Sequence, residues 1–465
     1  MPVIRVGNGA GFWGDNLDAP RVLAERGRLE YLTLEYLAEL TLSILAHQRS
    51  RNPQAGFISD FLTVLESLTP ALAAQPQLKI VTNAGGMAPQ TCARQAAAIL
   101  AGASLGDVAV AAASGDDLFP RLDDLIGGGE SFANFDSGLA LGDSRSQIAS
   151  ANAYLGAAGI VTALSQGARV IITGRVADAS LTVGPAIHEF GWSWTDWDRL
   201  AAATVAGHLI ECGAQVTGGM FSGWTPGLAL ENLGYPIAEI SDGGQVVITK
   251  PAATGGRVSV ETVAEQLVYE IGDPAHYLTP DVDADFSHVR LAQVGPDRVE
   301  VIGAKGNPAP PRFKVSMAYS DGYMASGTLV ICGDQAAAKA RACGELILSR
   351  LRAAGVNLAR THIECLGTGD TLPGVWDRND DALEVVLRVS VHDPSRAAVE
   401  RFVREFSPLV GSGPPGVTGY TGPRPSPYPV FAYWPTTIAR ERVLPVVEVR
   451  KAVDWAGMKV DQSGS

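Results

Sequence analysis

Apolar residues in the first half of the chain follow two alternating patterns. Short, almost continuously apolar runs, which are typical of buried strands, occupy residues 3–6, 31–36, 79–82, 107–112 and 168–172. Between them, apolar residues recur at helical spacing, for example over residues 38–50, 90–101 and 145–166. Buried strands that alternate with helices are typical of a parallel sheet covered on both faces. We therefore predict an α/β fold with a mostly parallel, doubly wound sheet and helices on both faces.

The pattern changes in the second half of the chain. Short strand-like runs such as QVVITK, RVEVIGA and SGTLVICG follow one another closely and are separated by Gly, Pro and Asp, which is typical of antiparallel strands. Helical spacing returns over residues 259–270 and 335–354. We predict an α/β domain over residues 1–240 and an α+β domain with antiparallel strands over residues 241–465, with a sub-boundary near 335–355.

Glycine and polar residues follow each apolar strand of the first half. Right-handed crossovers place the carboxyl ends of parallel strands along one edge of the sheet, where open α/β sheets bind ligands. The residues expected to bind a substrate at this edge are Asn8, Trp13, Asp15, Glu35, Asn83, Gly85, Gly86, Arg175 and Asp178. Each of them also fits an ordinary turn. Two roles are open for Arg175: bidentate binding of a phosphate or carboxylate, and an ion pair with Asp178.

A polar stripe lies on the helix-like stretch over residues 197–216. It consists of Thr204, His208, Glu211, Cys212 and Gln215, whose spacing puts them on one helical face. In one interpretation the stripe lines a catalytic pocket. Glu211 is then a general acid or base, and His208 lowers the pKa of the Cys212 thiol and assists as a base. In the other interpretation the stripe faces solvent, and Cys212 is buried as a small apolar residue.

A glycine turn with two cations precedes the helix predicted at residue 259. Lys250 and Arg257 flank it, and the helix N-terminus that follows suits an anion such as a phosphate or a thioester-linked nucleotide. The turn is not a P-loop, because the lysine precedes the glycines. A hairpin turn with two solvated cations explains the same residues, so both interpretations stay open.

Composition and charge indicate which kinds of molecule this protein can bind. The chain has 465 residues, 46% of them hydrophobic, and a formal net charge of −13. Such an acidic protein is not expected to bind nucleic acid or to dock on an anionic membrane surface. No apolar stretch is long enough to cross a membrane, and the N-terminus lacks a signal-peptide pattern. A small-molecule ligand is the expected partner.

Cysteine and histidine usage bears on the compartment and on metals. The five cysteines are scattered without a C-x-x-C pair, which favours a reducing, cytoplasmic setting. The seven histidines are dispersed, and no H-E-x-x-H or comparable ligand spacing occurs. We therefore expect no metal site.

The loop after the first strand spells the dinucleotide fingerprint G-x-G-x-x-G over residues 9–14. Glu35 lies about 20 residues further on, where a ribose-binding acid is expected. A pyrophosphate site also needs a helix that starts at once. Here Pro20 predicts a helix only from about residue 19. This placement argues against NAD or FAD, and no redox cofactor is expected to be required.

Several long motifs carry a family resemblance. They are GNGAGFWGD, YLTLEYLAELT, TNAGGM, ITGRVADASLTVGP, HLIECGAQVTGG and TGGRVSVETVAEQLVYEIGDPAHYLTPDV, in this order. Together they resemble the acyclic terpene utilisation family (AtuA type), formerly a domain of unknown function. The likeness covers about the first 350 residues and extends more loosely to about 450. It implies a catabolic role in the breakdown of acyclic terpenoids such as citronellol and geraniol, in pathways that run through coenzyme A thioesters.

These observations lead to a functional hypothesis. The chain is expected to be an enzyme that acts on a branched or terpenoid acyl-CoA, or a related carboxylate, by acid–base chemistry of the hydratase, lyase or hydrolase type. Coenzyme A would enter only as part of the substrate. A homo-oligomer is expected. Some relatives carry an extra small α+β domain, so a separate subunit of that kind is a candidate partner. The alternatives are a non-catalytic acyl-CoA-binding or scaffold subunit and an NAD(P)- or flavin-dependent enzyme.

Overall fold

The computed structural model describes residues 2–52 and 54–458. The strands are β1 Val3–Asn8, β2 Tyr31–Leu34, β3 Lys79–Thr82, β4 Ala109–Ser114, β5 Ile148–Ala153, β6 Val170–Thr173, β7 Ile237–Ser241, β8 Val246–Thr249, β9 Tyr277–Leu278, β10 Asp283–Asp285, β11 Arg290–Gly295, β12 Arg298–Ile302, β13 Lys305–Asn307, β14 Arg312–Cys332, β15 Arg360–Leu366, β16 Glu384–Asp393, β17 Tyr428–Ala439 and β18 Val446–Lys451. The helices are α1 Ala19–Arg26, α2 Glu39–Arg51, α3 Asp60–Ala74, α4 Pro89–Gly102, α5 Leu122–Gly127, α6 Ala158–Ser165, α7 Ser180–Phe190, α8 Trp197–Glu211, α9 Val260–Val268, α10 Ala336–Ala353, α11 Arg396–Val403, α12 Leu409–Ser412 and α13 Ala452–Ala456.

A ten-stranded sheet forms the centre of the fold, in the order β11-β12-β8-β7-β1-β2-β3-β6-β4-β18. Its five central strands, from β1 to β4 in that order, are parallel neighbours. Antiparallel strands flank them, with β7 beside β1 and β18 beside β4. Because the central strands are parallel, their carboxyl ends lie along one common edge of the sheet.

Helices cover both faces of this sheet, as predicted. On one face, Leu32, Leu34 and Ile80 join a core with α1, α2, α3, α4 and α13. Side chains alternate between the faces of a strand, so the neighbours of these residues face α6, α7 and α8. The Tyr31 hydroxyl, for example, donates to Glu189 of α7. The predicted α/β class with an additional antiparallel part is confirmed.

One predicted helix is wrong in its first half. The stretch 145–166 was assigned to a single helix, but residues 148–153 form strand β5 and the helix α6 begins only at Ala158. Strand β5 pairs with β14, which lies far away in sequence. Small residues such as those of β5 are compatible with either structure, so this tertiary pairing decides between them.

The described chain forms two compact units. One is built from residues up to 318 together with those from 433 onward, and the other from residues 319–432. In the second unit, α10 and α11 pack on the antiparallel strands β15 and β16. Strands β7, β8, β12 and β11 extend the large sheet beyond residue 240. The boundary at residue 240 and the sub-boundary near 335–355 stay predictions.

The helix that follows β1 begins late, as expected from the sequence. Helix α1 begins at Ala19 with Pro20 in its first turn, as the sequence predicted. Ten residues therefore separate the end of β1 from the helix, and this loop is free to contribute side chains to the edge of the sheet.

Two searches of the described residues gave no candidate. No helix among them is long and apolar enough to cross a membrane. No group of three or more His, Cys, Asp or Glu side chains in the same residues is placed to hold a metal ion.

Candidate functional site

A cavity of about 460 Å³ lies where the loops after β1, β2 and β6 meet the C-terminal end of α8. Five carboxyl side chains line it: Asp15, Glu35, Asp178, Glu211 and Glu270. Four aromatic side chains also line it: Phe12, Tyr36, Tyr235 and Tyr269. We refer to it below as the acidic cavity. Its position at the carboxyl ends of parallel strands is the usual place for a ligand site in an open α/β sheet.

The acidic cavity brings together some of the residues proposed from the sequence. Those that line it are Asp15, Glu35, Asp178, Glu211 and Cys212. Those outside its lining are Asn8, Trp13, Asn83, Gly85, Gly86, Arg175, His208, Lys250 and Arg257. A direct role of these residues in binding or catalysis stays a prediction, whether they line the cavity or not. The structure shows which atoms each of them contacts.

Glu35 is a buried carboxyl whose two oxygens have different surroundings. Oε1 accepts hydrogen bonds from the backbone N–H of Leu37, at 2.8 Å, and from the side-chain amide of Asn83. Oε2 is buried and has no hydrogen-bond partner among the residues that the structure describes. Burial raises the pKa of Glu35 well above its usual range, and the charge of Asp178 adds to this rise. A proton on Glu35 therefore belongs on Oε2, because both neighbours of Oε1 are donors.

Arg175 is turned into the protein. Its Nη1 lies 2.6 Å from Oδ1 of Asp178, 2.9 Å from the carbonyl oxygen of Leu37 and 3.7 Å from Oε1 of Glu35. Its guanidinium also stacks over the ring of Tyr154, 4.1 Å from the ring centroid. Of the two roles left open by the sequence, the ion pair with Asp178 is the one seen. It also positions the loop after β2 through Leu37.

His208 and Glu211 form a buried pair at the end of α8. Nδ1 of His208 lies 3.2 Å from Oε1 of Glu211, and Nε2 lies 3.0 Å from the carbonyl oxygen of Gln266. The rings of Tyr277 and Phe286 pack together, with centroids 4.9 Å apart, and their centroids lie 5.5 and 5.7 Å from that of His208. Oε2 of Glu211 is buried and has no hydrogen-bond partner within the described part of the chain.

The hydrogen bonds of His208 imply that this pair shares a proton. A carbonyl oxygen only accepts, so Nε2 of His208 carries a hydrogen. Nδ1 then either accepts a proton from neutral Glu211 or carries its own and faces a carboxylate. Burial raises the pKa of Glu211 to about 7, although the hydrogen bond with His208 opposes this rise. Burial would lower the pKa of His208, but its bonds to Glu211 and Gln266 outweigh burial and leave that pKa raised.

The activation of Cys212 by His208 stays a prediction, and the structure gives His208 other partners. Both nitrogens of His208 are engaged by Glu211 and Gln266, and helix α8 already ends at Glu211, so Cys212 lies beyond the regular helical face. Burial raises the pKa of the Cys212 thiol to about 12, and the charge of Glu211 adds to the effect. Cys212 lines the acidic cavity as a thiol, which is a poor nucleophile.

Cys212 is accordingly expected to react slowly with iodoacetamide. At pH 7.5 its alkylation in the folded protein is expected to be at least about 100-fold slower than in the urea-unfolded protein, because the thiolate is the reactive form. The rate is measured by mass spectrometry of the peptide that contains Cys212. The unfolded chain is the matched control, since it presents the same cysteine in the same sequence. Equal rates would show that the folded site holds a thiolate.

Asn8 and Asn83 support the cavity from behind. The amide of Asn8 donates to the carbonyl oxygens of Ile210 and Glu211, both at 2.8 Å, and so fixes the end of α8 to the end of β1. Asn83 bonds the carboxyl of Glu35 and accepts from the backbone N–H of Tyr36 at 2.9 Å. Both asparagines were proposed as ligand contacts. In the structure their polar atoms hold the loops that carry the acidic residues.

Glycines allow two close approaches near the cavity. A Cβ on Gly11 would lie 2.7 Å from the carbonyl carbon of Cys212, and one on Gly85 would lie 2.5 Å from the carbonyl oxygen of Thr173. Gly86 follows with a φ of +53°, which favours glycine. Trp13, proposed as a pocket wall, packs partly buried against the hydrophobic core. Gly11 also lines the cavity, whereas Trp13, Gly85 and Gly86 shape the loops from outside its lining.

The predicted anion turn lies apart from the lining of the acidic cavity. Nζ of Lys250 is buried, 3.1 Å from a carboxyl oxygen of Asp297 and 2.9 Å from the carbonyl oxygen of Thr254. Arg257 is exposed, and its guanidinium lies 5.6 Å from the ring centroid of Phe221. The structure thus gives Lys250 partners within the protein, while an anion at this turn stays a prediction.

Sequence reasoning missed several lining residues. Tyr36 directly follows Glu35 at the end of β2, so the strand-end argument could have included it. Tyr269 and Glu270 follow α9 and belong to the long motif quoted above, but nothing in their spacing connects them with β1 or α8. Tyr235 donates its hydroxyl proton to Asp15, a contact across 220 residues that only the fold reveals.

The chain was compared with known proteins in three ways. A family model described as "Acyclic terpene utilisation family protein AtuA" matches residues 4–449. The searches of curated proteins and of solved structures gave no match.

Proposed function

Because the chain belongs to the acyclic terpene utilisation family, and so has a role in the use of acyclic terpenes, we propose that it is an enzyme of that process. Its reaction is acid–base chemistry on a terpenoid acyl-CoA or a related carboxylate. The chemistry takes place in the acidic cavity. Glu211 transfers the proton there, and His208 is its positioning partner.

The observation that carries this proposal is the buried contact of Glu211, a lining residue, with His208, whose Nδ1 lies 3.2 Å from Oε1 of the carboxyl. A group that gains and loses a proton near neutral pH is suited to general acid–base catalysis. Burial raises the pKa of Glu211 to about 7, and its unpartnered Oε2 belongs to a residue that lines the cavity. His208 is too deeply buried to touch a substrate, so it acts by orienting Glu211.

Glu35 is a second carboxyl of the cavity, and its hydrogen-bond partners differ from those of Glu211. Asn83 and the backbone N–H of Leu37 hold its Oε1, whereas Glu211 is held by a histidine. Two carboxyls in unlike surroundings allow one to be protonated while the other is ionised. This arrangement provides an acid and a base within one cavity.

The cavity is suited to the hydrocarbon part of the substrate. Phe12 and Met220 line it and are exposed, at 59% and 87% of their surfaces, so they present apolar area to an incoming chain. No Lys, Arg or His side chain is among its described lining residues. The phosphates of coenzyme A would meet carboxylates there, so we place the nucleotide portion outside the cavity and the terpenoid chain within it.

The test is turnover of a panel of branched and terpenoid acyl-CoA esters and of the corresponding free acids. The full-length protein is incubated with each compound, and substrate mass is followed by mass spectrometry. Gain or loss of one water, cleavage of a carbon–carbon bond or release of coenzyme A supports the proposal. Glu66→Gln, a change at an exposed position of α3, is the matched control and is expected to retain turnover. Tight binding without any mass change would instead identify a non-catalytic binding subunit.

A further inference from the structure

The acidic cavity has an unusual balance of charge. Five carboxyl side chains line it, and no cationic side chain does so among the described residues. Two of the carboxyl residues, Glu35 and Glu211, each have a buried oxygen without a hydrogen-bond partner. The hydroxyl of Tyr36, another lining residue, is also buried and unpartnered. Such a wall favours positive charge in a ligand and disfavours negative charge.

The buried Arg175 does not offset the negative charge of the cavity lining for a ligand. The guanidinium of Arg175 is buried outside the cavity lining and stacks on Tyr154. Its Nη1 bonds Asp178 and the carbonyl oxygen of Leu37, while its buried Nε has no partner among the described residues. Reactions that pass through an enolate or a tetrahedral oxyanion need donors or cations aimed at the developing negative charge. The described side chains that line this cavity supply no cation, and their donors are neutral groups such as the hydroxyls of Tyr36 and Tyr269.

Aromatic rings add to the preference for positive charge. Phe12, Tyr36, Tyr235 and Tyr269 all line the cavity. The face of an aromatic ring attracts a cation, and the attraction grows when water is excluded. Carboxylates together with aromatic faces would therefore lower the energy of a carbocation more than that of a neutral or anionic intermediate.

We propose that the acidic cavity protonates a carbon–carbon double bond of an acyclic terpenoid chain and so catalyses addition of water, or its reverse, through a tertiary carbocation. This inference rests on the proposed function and specifies its reaction. Glu211 is the proton donor, and the aromatic and carboxylate wall stabilises the cation. The reacting centre is then the branched alkene and not the carbon next to the thioester.

The step balances without a redox partner. The π electrons of the double bond form a C–H bond with the carboxyl proton of Glu211, which leaves a carboxylate and a cation on the more substituted carbon. A lone pair of a water molecule forms the C–O bond. The proton that this water loses passes to a carboxylate of the cavity, so one molecule of water is added in total. Dehydration of a tertiary alcohol is the same sequence in reverse.

Isotope labelling tests this assignment. A terpenoid substrate that is turned over is incubated in deuterium oxide enriched in ¹⁸O, and the product is examined by tandem mass spectrometry. We expect one non-exchangeable deuterium on the less substituted alkene carbon and one ¹⁸O on the tertiary carbon. An analogue with the branched double bond hydrogenated is expected to react at least about 100-fold more slowly.

The outcomes separate the two proposals. Deuterium next to the thioester, or equal turnover of the hydrogenated analogue, would overturn the carbocation route while leaving an acid–base enzyme in place. Failure of every terpenoid compound to react would overturn the proposed function and this inference together.

A binding measurement provides a second test that does not need turnover. A terpenoid in which a protonated tertiary amine replaces the cationic carbon resembles the intermediate and is expected to bind at least about tenfold more tightly than its neutral isostere at pH 7.5. The variant Glu211→Gln/Glu270→Gln, which removes two carboxyl groups from the lining, is expected to weaken this preference. Glu66→Gln, a change at an exposed position of α3, is the matched control and is expected to keep it. Equal binding of the two compounds to the wild-type protein would contradict the proposal.

Discussion

Replacing Glu211 with glutamine is expected to lower kcat by about 10²- to 10⁴-fold, the usual contribution of a general acid or base. Glutamine keeps the size of the side chain but cannot transfer a proton. The loss is measured with a terpenoid substrate that the wild-type protein converts. Because the pKa of Glu211 is about 7, activity that needs its protonated form is expected to fall as pH rises through 7. The residual activity of the variant is expected to lack this decline.

Stability supplies an independent readout for the same variant. The pKa of Glu211 in the folded protein lies above its ordinary value of 4.5, so its contribution to stability is fully present below 4.5 and is lost as pH rises through about 7. Relative to the wild type, Glu211→Gln is therefore expected to gain stability between pH 5 and pH 8. Thermal unfolding across this range measures the effect.

A control variant distinguishes a loss of catalysis from a general loss of stability. Glu66→Gln makes the same chemical change on the exposed side of α3 and is expected to leave both kcat and the pH dependence unchanged. Full turnover by Glu211→Gln would show that Glu211 is not the proton-transfer group. A variant that loses activity but keeps the wild-type dependence of stability on pH would contradict the buried, titrating pair.

Replacing Arg175 with methionine is expected to destabilise the protein by about 3 kcal/mol. The change leaves the carbonyl oxygen of Leu37 without this donor and removes the cation that opposes the charge of the buried Glu35. Asp178 is about one-third exposed, so water screens its part of the loss. Urea unfolding monitored by far-UV circular dichroism measures the change.

The pH dependence of this second prediction follows from Glu35. Arg175 lowers the pKa of that carboxyl, although burial, the larger effect, raises it. Without Arg175 the charged form of Glu35 becomes less favourable, and protonation relieves the penalty. The destabilisation by Arg175→Met is therefore expected to be larger at pH 8 than at pH 5.

Arg21→Met is the control for this experiment. Arg21 lies on α1, where it pairs with Asp18 and Glu25 at the surface, and water screens exposed ion pairs of this kind, so its loss is expected to change stability little. If both arginine variants unfolded at the same urea concentration, Arg175 would not have the structural role described above.

Much of the scaffold could be predicted because it depends on local patterns. Continuous apolar runs mark buried parallel strands, and Pro20 marks the start of α1, so the common carboxyl edge of the sheet followed from the sequence. Strand β5 was missed because its small residues have no strong preference. Its pairing with β14 decides its structure, and that contact is distant in sequence.

The candidate site was predictable in composition but not in arrangement. Spacing placed His208, Glu211 and Cys212 close together, yet it could not show which pair interacts. The end of α8 at Glu211 and the carbonyl oxygen of Gln266, 58 residues away, direct His208 to the carboxyl. The hydrogen bonds of Asn8 to the end of α8 likewise join parts of the chain more than 200 residues apart.

The sequence alone determined the α/β class and the edge of the sheet at which acidic residues gather, because both follow from local composition and periodicity. Its long motifs carried the family likeness. Only the tertiary structure decided which of these groups face the cavity and which hold it together. It turned Arg175 inward, paired Glu211 with His208 and left the cavity lined by carboxyl and aromatic groups. Desolvation and long-range hydrogen bonding set these roles, and both depend on contacts between residues that are distant along the chain.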